Sequence, residues 1–209
     1  MLVLVTGCAS QQPLLFHETF DSGDLGRWEV TDASAWSFAE DGDRKVLHLT
    51  KNSDYKAKVR SPNSIAWLTD LEMSDFVLEV TLKSLGKPND GHRDLCLFWG
   101  RQDAEHFYYV HMGKKADPHS NSIFLVNGEP RVSIARARTE GTPWDDAYHR
   151  VVVVRDTETG MIEVYYDDKI TPVMTAVDKT FTTGRIGIGS FDNTGYFDEI
   201  KLMGRRVKP

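Results

Sequence analysis

The sequence predicts an all-β protein of antiparallel strands, and three observations carry that prediction. No segment sustains a helical period, apolar and polar residues alternate over short runs, and clusters of Gly, Asn, Asp and Pro punctuate those runs along the chain. Such a pattern builds a sandwich or a barrel. Phe16–Asp21, with Leu25 and Trp28 behind it, opens the fold as a strand running into a turn held by apolar anchors. Ala35–Phe38 and Val46–Thr50 form a hairpin about the turn Glu40-Asp41-Gly42-Asp43. Lys56–Arg60 pairs next and ends at the break Ser61-Pro62-Asn63. Phe76–Ser84 alternates well and leads into the loop Gly86–Gly91. Three central strands lie between Asp94 and Val126, and Arg131–Ala137 follows. Arg150–Arg155 is a continuous valine run, expected of a strand covered on both faces. It turns at Thr157–Gly160 into Met161–Tyr166. Arg185–Phe191 and Tyr196–Met203, joined by the turn Asp192-Asn193-Thr194-Gly195, close the chain.

No internal repeat or interdomain linker interrupts this series, so residues 16–209 read as a single domain preceded by a tether at 1–15. At 209 residues the chain is long enough to bury a sizeable core. A net charge of −6 argues against affinity based on neutralising nucleic-acid phosphates.

Met1–Val5 is apolar but too short to span a membrane, and it lacks the basic start of a signal peptide, which places the expected start codon upstream. Val5-Thr6-Gly7-Cys8 resembles a bacterial lipobox. That resemblance implies that Cys8 is the acylated first residue of a lipoprotein of the bacterial cell envelope, held to the membrane by its lipid alone. Ala9 and Ser10 do not resemble an inner-membrane retention signal, which favours the outer membrane. Cys96 is then left alone, with no disulfide.

Glu18–Trp28 (E-T-F-D-x-x-x-L-x-x-W), Gly42–Leu49 and the closing run Gly184–Leu202 (G-R-I-G-I-G-S-F-D-N-T-G-Y-F-D-E-I-K-L) resemble the concanavalin A-like jelly roll, a two-sheet antiparallel sandwich. The likeness is to laminin-G-like and 3-keto-disaccharide hydrolase-type domains, and more distantly to laminarinases. It covers nearly the whole chain after Phe16. The architecture hosts lectins, glycosidases, polysaccharide lyases and interaction domains alike, so it implies a polysaccharide or oligosaccharide partner without naming an activity. In the glycosidase relatives an aspartate in the last strand binds structural calcium with backbone carbonyls. Carried over by position, these groups are Asp198, Thr19 and Gly42. Asp198 shares strand parity with Tyr196, Ile200 and Leu202, so its carboxylate is expected on a largely apolar side, where it needs a partner. The laminarinase signature E-x-D-x-x-E is absent: Glu72-Met73-Ser74-Asp75 and Glu79 have the wrong spacing.

Chemistry-bearing residues gather in the central stretch. In His106–Met112 the residues Tyr108, Val110 and Met112 suit the core, which leaves Phe107, Tyr109 and His111 on the opposite face. The neighbouring strand is ambiguous, since Leu95, Leu97 and Trp99 or Cys96 and Phe98 can be its core set. As a glycan platform, Trp99, Tyr109 and Trp144 would supply ring faces, with His111, Lys114, Asp117, His119 and Asn121 supplying directional polar contacts. As an enzyme, Tyr109 or His111 would act as general base. Jelly-roll lyases pair such a residue with an arginine and an amide, roles that Arg93 and Asn121 would fill, and a hydrolase would use Asp94 or Asp117. Satisfied polar residues at a strand end are the structural alternative for each of them.

Overall fold

The computed structural model describes residues 13–167 and 170–207; Cys8 and most of the expected tether lie outside them. The described residues contain no α-helix, only a 3-10 turn at Ala33–Ala35. The strands are β1 (Leu14–Glu18), β2 (Trp28–Val30), β3 (Trp36–Asp41), β4 (Arg44–Leu49), β5 (Ser64–Leu68), β6 (Met73–Ser84), β7 (Asp94–Asp103) and β8 (His106–Gly113). They continue as β9 (Ser122–Asn127), β10 (Val132–Ser133), β11 (Ala135–Arg138), β12 (His149–Arg155), β13 (Met161–Tyr166), β14 (Met174–Val177), β15 (Arg185–Ser190) and β16 (Gly195–Arg206). One sheet has seven strands in the order β10-β9-β8-β7-β15-β5-β2. The other has nine, in the order β11-β14-β13-β12-β6-β16-β4-β3, with β1 beside β16.

The interior between the sheets takes alternate residues of the long strands: Leu78, Val80 and Leu82 of β6, Leu95, Leu97 and Trp99 of β7, and Tyr108, Val110 and Met112 of β8. This settles the ambiguous parity of β7. The intervening residues of β7 and β8, with residues of β5 and β9, enter a second apolar cluster on the outer face of the seven-stranded sheet, made of Ile65, Trp67, Cys96, Phe98, Phe107, Tyr109, Phe124 and Val126. That sheet is therefore buried on both sides, and β5 reads Ser-Ile-Ala-Trp-Leu without a polar face.

The expected strand Lys56–Arg60 is not a strand. Residues 51–63 form an extended strap without ladder pairing, which crosses the outer face of the seven-stranded sheet. Val59 packs on the second cluster, Lys58 pairs with Glu105 at 2.7 Å, and Arg131 N donates to Arg60 O at 3.1 Å. The alternation that suggested pairing comes from lying flat on a surface: Lys56, Lys58 and Arg60 point to solvent while Tyr55, Ala57 and Val59 are half-buried. Arg131–Ala137 splits into β10 and β11, which join different sheets.

A bulge also breaks the parity of the last strand. Its register with β6 shifts between Asp198 and Lys201, and Glu199 adopts φ 48°. Asp198 consequently pairs opposite Thr81, on the side of Tyr196, whereas Ile200 and Leu202 face the interior.

Candidate functional site

Two cavities open on the outer face of the seven-stranded sheet, on either side of the strap. The first, about 220 Å³, is walled by Arg60 of the strap, His92, His111 of β8, Asp117 and His119 of the following turn, Arg131, and Phe191 with Asp192 after β15. Segments remote in sequence meet here because β15 pairs with β7, placing Gly189 opposite Cys96, and β8 pairs with β9.

Arg131 is the keystone of this pocket. Its Nη1 donates to the Tyr109 hydroxyl at 2.8 Å and its Nη2 to the His119 carbonyl at 2.9 Å. The guanidinium lies 4.0 Å from the Phe191 ring centroid and 4.9 Å from that of Phe124, so a planar cation is sandwiched among aromatic faces.

His111 stands against it, its ring stacked on Phe191 at 5.8 Å. Its Nδ1 faces the His119 carbonyl at 3.1 Å and its Nε2 the Asp94 carboxylate at 3.2 Å. Each ring nitrogen thus faces an oxygen of the protein itself. Asp94 is a fully buried hub. It accepts from Ser190 Oγ at 3.1 Å, Phe191 N at 3.0 Å and Asn193 Nδ2 at 2.9 Å, and the Cys96 thiol lies 3.6 Å away. Burial opposes its ionisation, but the His111 ring and the donors from Phe191 and Asn193 together outweigh that and hold the carboxyl below its ordinary value. Asp94, Cys96 and His111 each offer a potential metal-ligating atom within 4.8 Å of the others, and internal hydrogen bonding already satisfies the group.

The polar edge of the pocket is open. Asp192 has no hydrogen-bond partner among the described residues, and burial, then the neighbouring Asp94 charge, raises its carboxyl above the ordinary value. The side chains of Arg60, His92 and His119 are likewise uncommitted among the described residues. Asp117 Oδ1 accepts from the His119 backbone N at 2.6 Å, shaping the turn.

Of the residues expected to form a site, His111, Asp117 and His119 come together here, and the others are placed elsewhere. Trp99 is interior, stacked on Tyr108, because β7 turns Leu95, Leu97 and Trp99 inward. Trp144 is interior too, its indole N–H donating to Met112 O at 2.7 Å. Tyr109 lies on the predicted face but beneath other side chains. It is fully buried in the second cluster, with its phenol pushed well up by burial, which removes it as a base or a stacking surface. Arg93 is a buried clamp that donates to the Ser84 carbonyl, Ser84 Oγ, Asp145 O and Asp146, outside the pocket. Asn121, at φ 49° and fully buried, donates to Thr139 O and accepts from Thr142 Oγ1, so it organises a turn. Lys114 donates to Pro88 O on the surface. Sequence reasoning missed Arg60, His92, Arg131 and Asp192. The D-N-T-G turn was visible, but its approach to the central strands depends on the β15–β7 pairing.

Of the expected calcium ligands, the Asp198 carboxylate is engaged by donors of the protein itself. Asp198 Oδ2 takes Arg44 Nη1 at 2.6 Å and Oδ1 takes Glu199 N at 2.8 Å, so a guanidinium already fills the cationic role. Thr19 donates its hydroxyl to Asp21, and Gly42 occupies the left-handed corner of the β3–β4 turn at φ 69°.

No protein-family model matches the chain, and no curated protein matches it by sequence. Solved structures do. A carbohydrate binding module, CBM66 from Bacillus subtilis, is 20% identical and covers 85% of this chain and 96% of its own, with a TM-score of 0.60. The Bacillus licheniformis β-glucanase is 16% identical over 91% of this chain and 98% of its own, at 0.55. The exoplasmic/lumenal domain of VIP36 in its Ca²⁺/Man3GlcNAc-bound form is 15% identical over 92% and 90%, at 0.61. With two antiparallel sheets and these structural neighbours, the protein has the concanavalin A-like jelly-roll fold.

Proposed function

We propose that the pocket under Arg131 binds a sugar unit of a polysaccharide or oligosaccharide, and that the domain works as a carbohydrate-recognising module at the bacterial cell envelope, tethered through a lipid on Cys8. The observation that carries the reading is the composition of the pocket. A wall of stacked planar groups, Phe191, Arg131 and His111, meets an uncommitted polar edge of Arg60, His92, His119 and Asp192. Ring hydroxyls need such directional partners, and the apolar face of a sugar needs such a wall. A carbohydrate binding module, a Man3GlcNAc-bound domain and a β-glucanase among the structural neighbours agree with it. The calcium named with VIP36 belongs to that protein; this reading needs none.

One observation favours processing as a second reading. Asp117 and Asp192 line the same pocket, and Asp192 has the raised carboxyl expected of a general acid. Protein incubated with neutral and uronate-bearing polysaccharides separates the two. Retention on a polymer without new reducing ends is the expected result for binding. New reducing ends that vanish in Asp192→Asn while retention persists would establish hydrolysis. No retention across the panel would remove the carbohydrate reading and favour an interaction domain of the laminin-G type. For the anchor, a clickable fatty-acid label is expected on the protein expressed from its upstream start codon in a lipoprotein-processing bacterium and absent from Cys8→Ala; labelling of both, or of neither, would sink the assignment.

A further inference from the structure

The second cavity on the same sheet face, about 260 Å³, lies across the strap from the first. Phe107 lines it and His111 lines the other, and these residues sit four positions apart on one face of β8. The two cavities are thus roughly 13 Å apart along the strand. Tyr55 and Pro62 of the strap, Trp67 and Phe107 form its apolar walls, and Glu29 and Arg101 its polar rim. Gly187 makes room for the indole: a Cβ there would stand 2.8 Å from a Trp67 ring atom.

The charges of this cavity are already matched to each other. Arg101 grips Glu29 with two hydrogen bonds of 2.9 Å, and Arg185 adds a contact of 3.3 Å. The Arg101 bond, opposed by burial, keeps the Glu29 carboxyl below its ordinary value. A cationic ligand would seek the Trp67 face, but Arg101 sits there, 5.0 Å from the ring centroid. An anionic ligand would meet Glu29. The remaining class is a neutral molecule with one apolar face and several hydroxyls, for which Glu29 keeps free lone pairs and Tyr55 a hydroxyl uncommitted among the described residues. The volume falls below that of a drug-sized pocket, which suits a single ring.

We infer that this cavity is a second, independent subsite for one neutral sugar ring, packed against the half-buried Tyr55 ring with its hydroxyls on Glu29, and with the buried Trp67 indole beneath it as a reporter. The inference takes its ligand class from the carbohydrate reading but not its location, and it makes the domain bivalent along one sheet face. The strap lies between the subsites, so each receives its own sugar unit.

The test uses the full chain with methyl glycosides of glucose, galactose, mannose, xylose and fructose, each followed by saturation-transfer NMR and by the Trp67 indole resonance, assigned with Trp67→Phe. At least one glycoside is expected to show transfer to one ring face and to shift that resonance. Tyr55→Ala and, with the walls intact, Glu29→Gln should each weaken that binding about tenfold, and Arg131→Ala should leave it unchanged. No shift of the Trp67 resonance with any glycoside overturns the subsite, as does binding lost in Arg131→Ala but kept in Tyr55→Ala and Glu29→Gln. That second pattern would leave the Arg131 pocket standing. Loss of polymer retention with the Trp67 response intact would do the reverse.

Discussion

Asp94→Ala is expected to lower the melting temperature by about 10 °C. Removing one partner of a buried charged pair costs about 3–5 kcal/mol, and a domain of this size loses roughly 2–4 °C per kcal/mol. The loss is spread over several orphaned donors at once: the His111 ring, the Ser190 hydroxyl, the Phe191 amide and the Asn193 amide group all turn on this carboxylate. Asp94→Asn keeps the shape and isolates the charge. The native carboxyl titrates below its unfolded value, so its contribution is complete above the unfolded pKa of about 3.9 and fades as pH falls through the lower folded value. Thermal melts between neutral pH and pH 2 should therefore show a steeper acid loss for the wild type than for Asp94→Asn. Parallel curves, or a melting temperature within two or three degrees of wild type for Asp94→Ala, would show that the hub carries little stability.

Arg131→Ala is expected to weaken retention on the preferred glycan by at least about tenfold, and as much as a hundredfold if the guanidinium is a hot spot. It removes the planar wall between Phe191 and Phe124, takes one of two ring or guanidinium contacts from the His119 carbonyl and leaves the buried Tyr109 hydroxyl without its donor. The last effect adds about 1–3 kcal/mol of destabilisation, which a melt distinguishes from loss of binding in a folded protein. Arg131→Lys should fail to rescue, because an ammonium cannot bridge both acceptors while stacking on two rings. Unchanged affinity in a folded Arg131→Ala would move the site away from this pocket.

How far the sequence foretold this site depends on what alternation can encode. It assigned Tyr108, Val110 and Met112 to one face of β8 and Phe107, Tyr109 and His111 to the other, as the structure has them. Alternation says which face a residue takes, not whether something covers that face. Tyr109 therefore read as an exposed platform although Arg131 and neighbouring rings bury it. The same limit made a strand of Lys56–Arg60 and hid β5, whose Ser-Ile-Ala-Trp-Leu is buried on both sides and has no period to read. A one-residue bulge at Glu199 sufficed to turn Asp198 away from the apolar side that parity gave it, toward Arg44. Arg60, His92, Arg131 and Asp192 were illegible for another reason: only the pairing of strands distant in sequence brings them together.

The strap adds a kinetic property to this geometry. Its amides from Lys56 to Arg60 donate to no acceptor among the described residues; the middle of the strap is held by the bond from Arg131 N to Arg60 O, and its ends by Asp54 N to Asp32 and Thr31 Oγ1 to Asn63 O. Lifting it unpicks no ladder. The sheet beneath stays fully hydrogen-bonded while Val59 leaves the aromatic cluster and Lys58 leaves Glu105. Local opening of this kind draws on the low end of a protein's stability range, far below global unfolding. With the strap lifted the two cavities would merge into one trough, so under the proposed carbohydrate reading the length of glycan this face takes would depend on strap opening as well as on its resting shape.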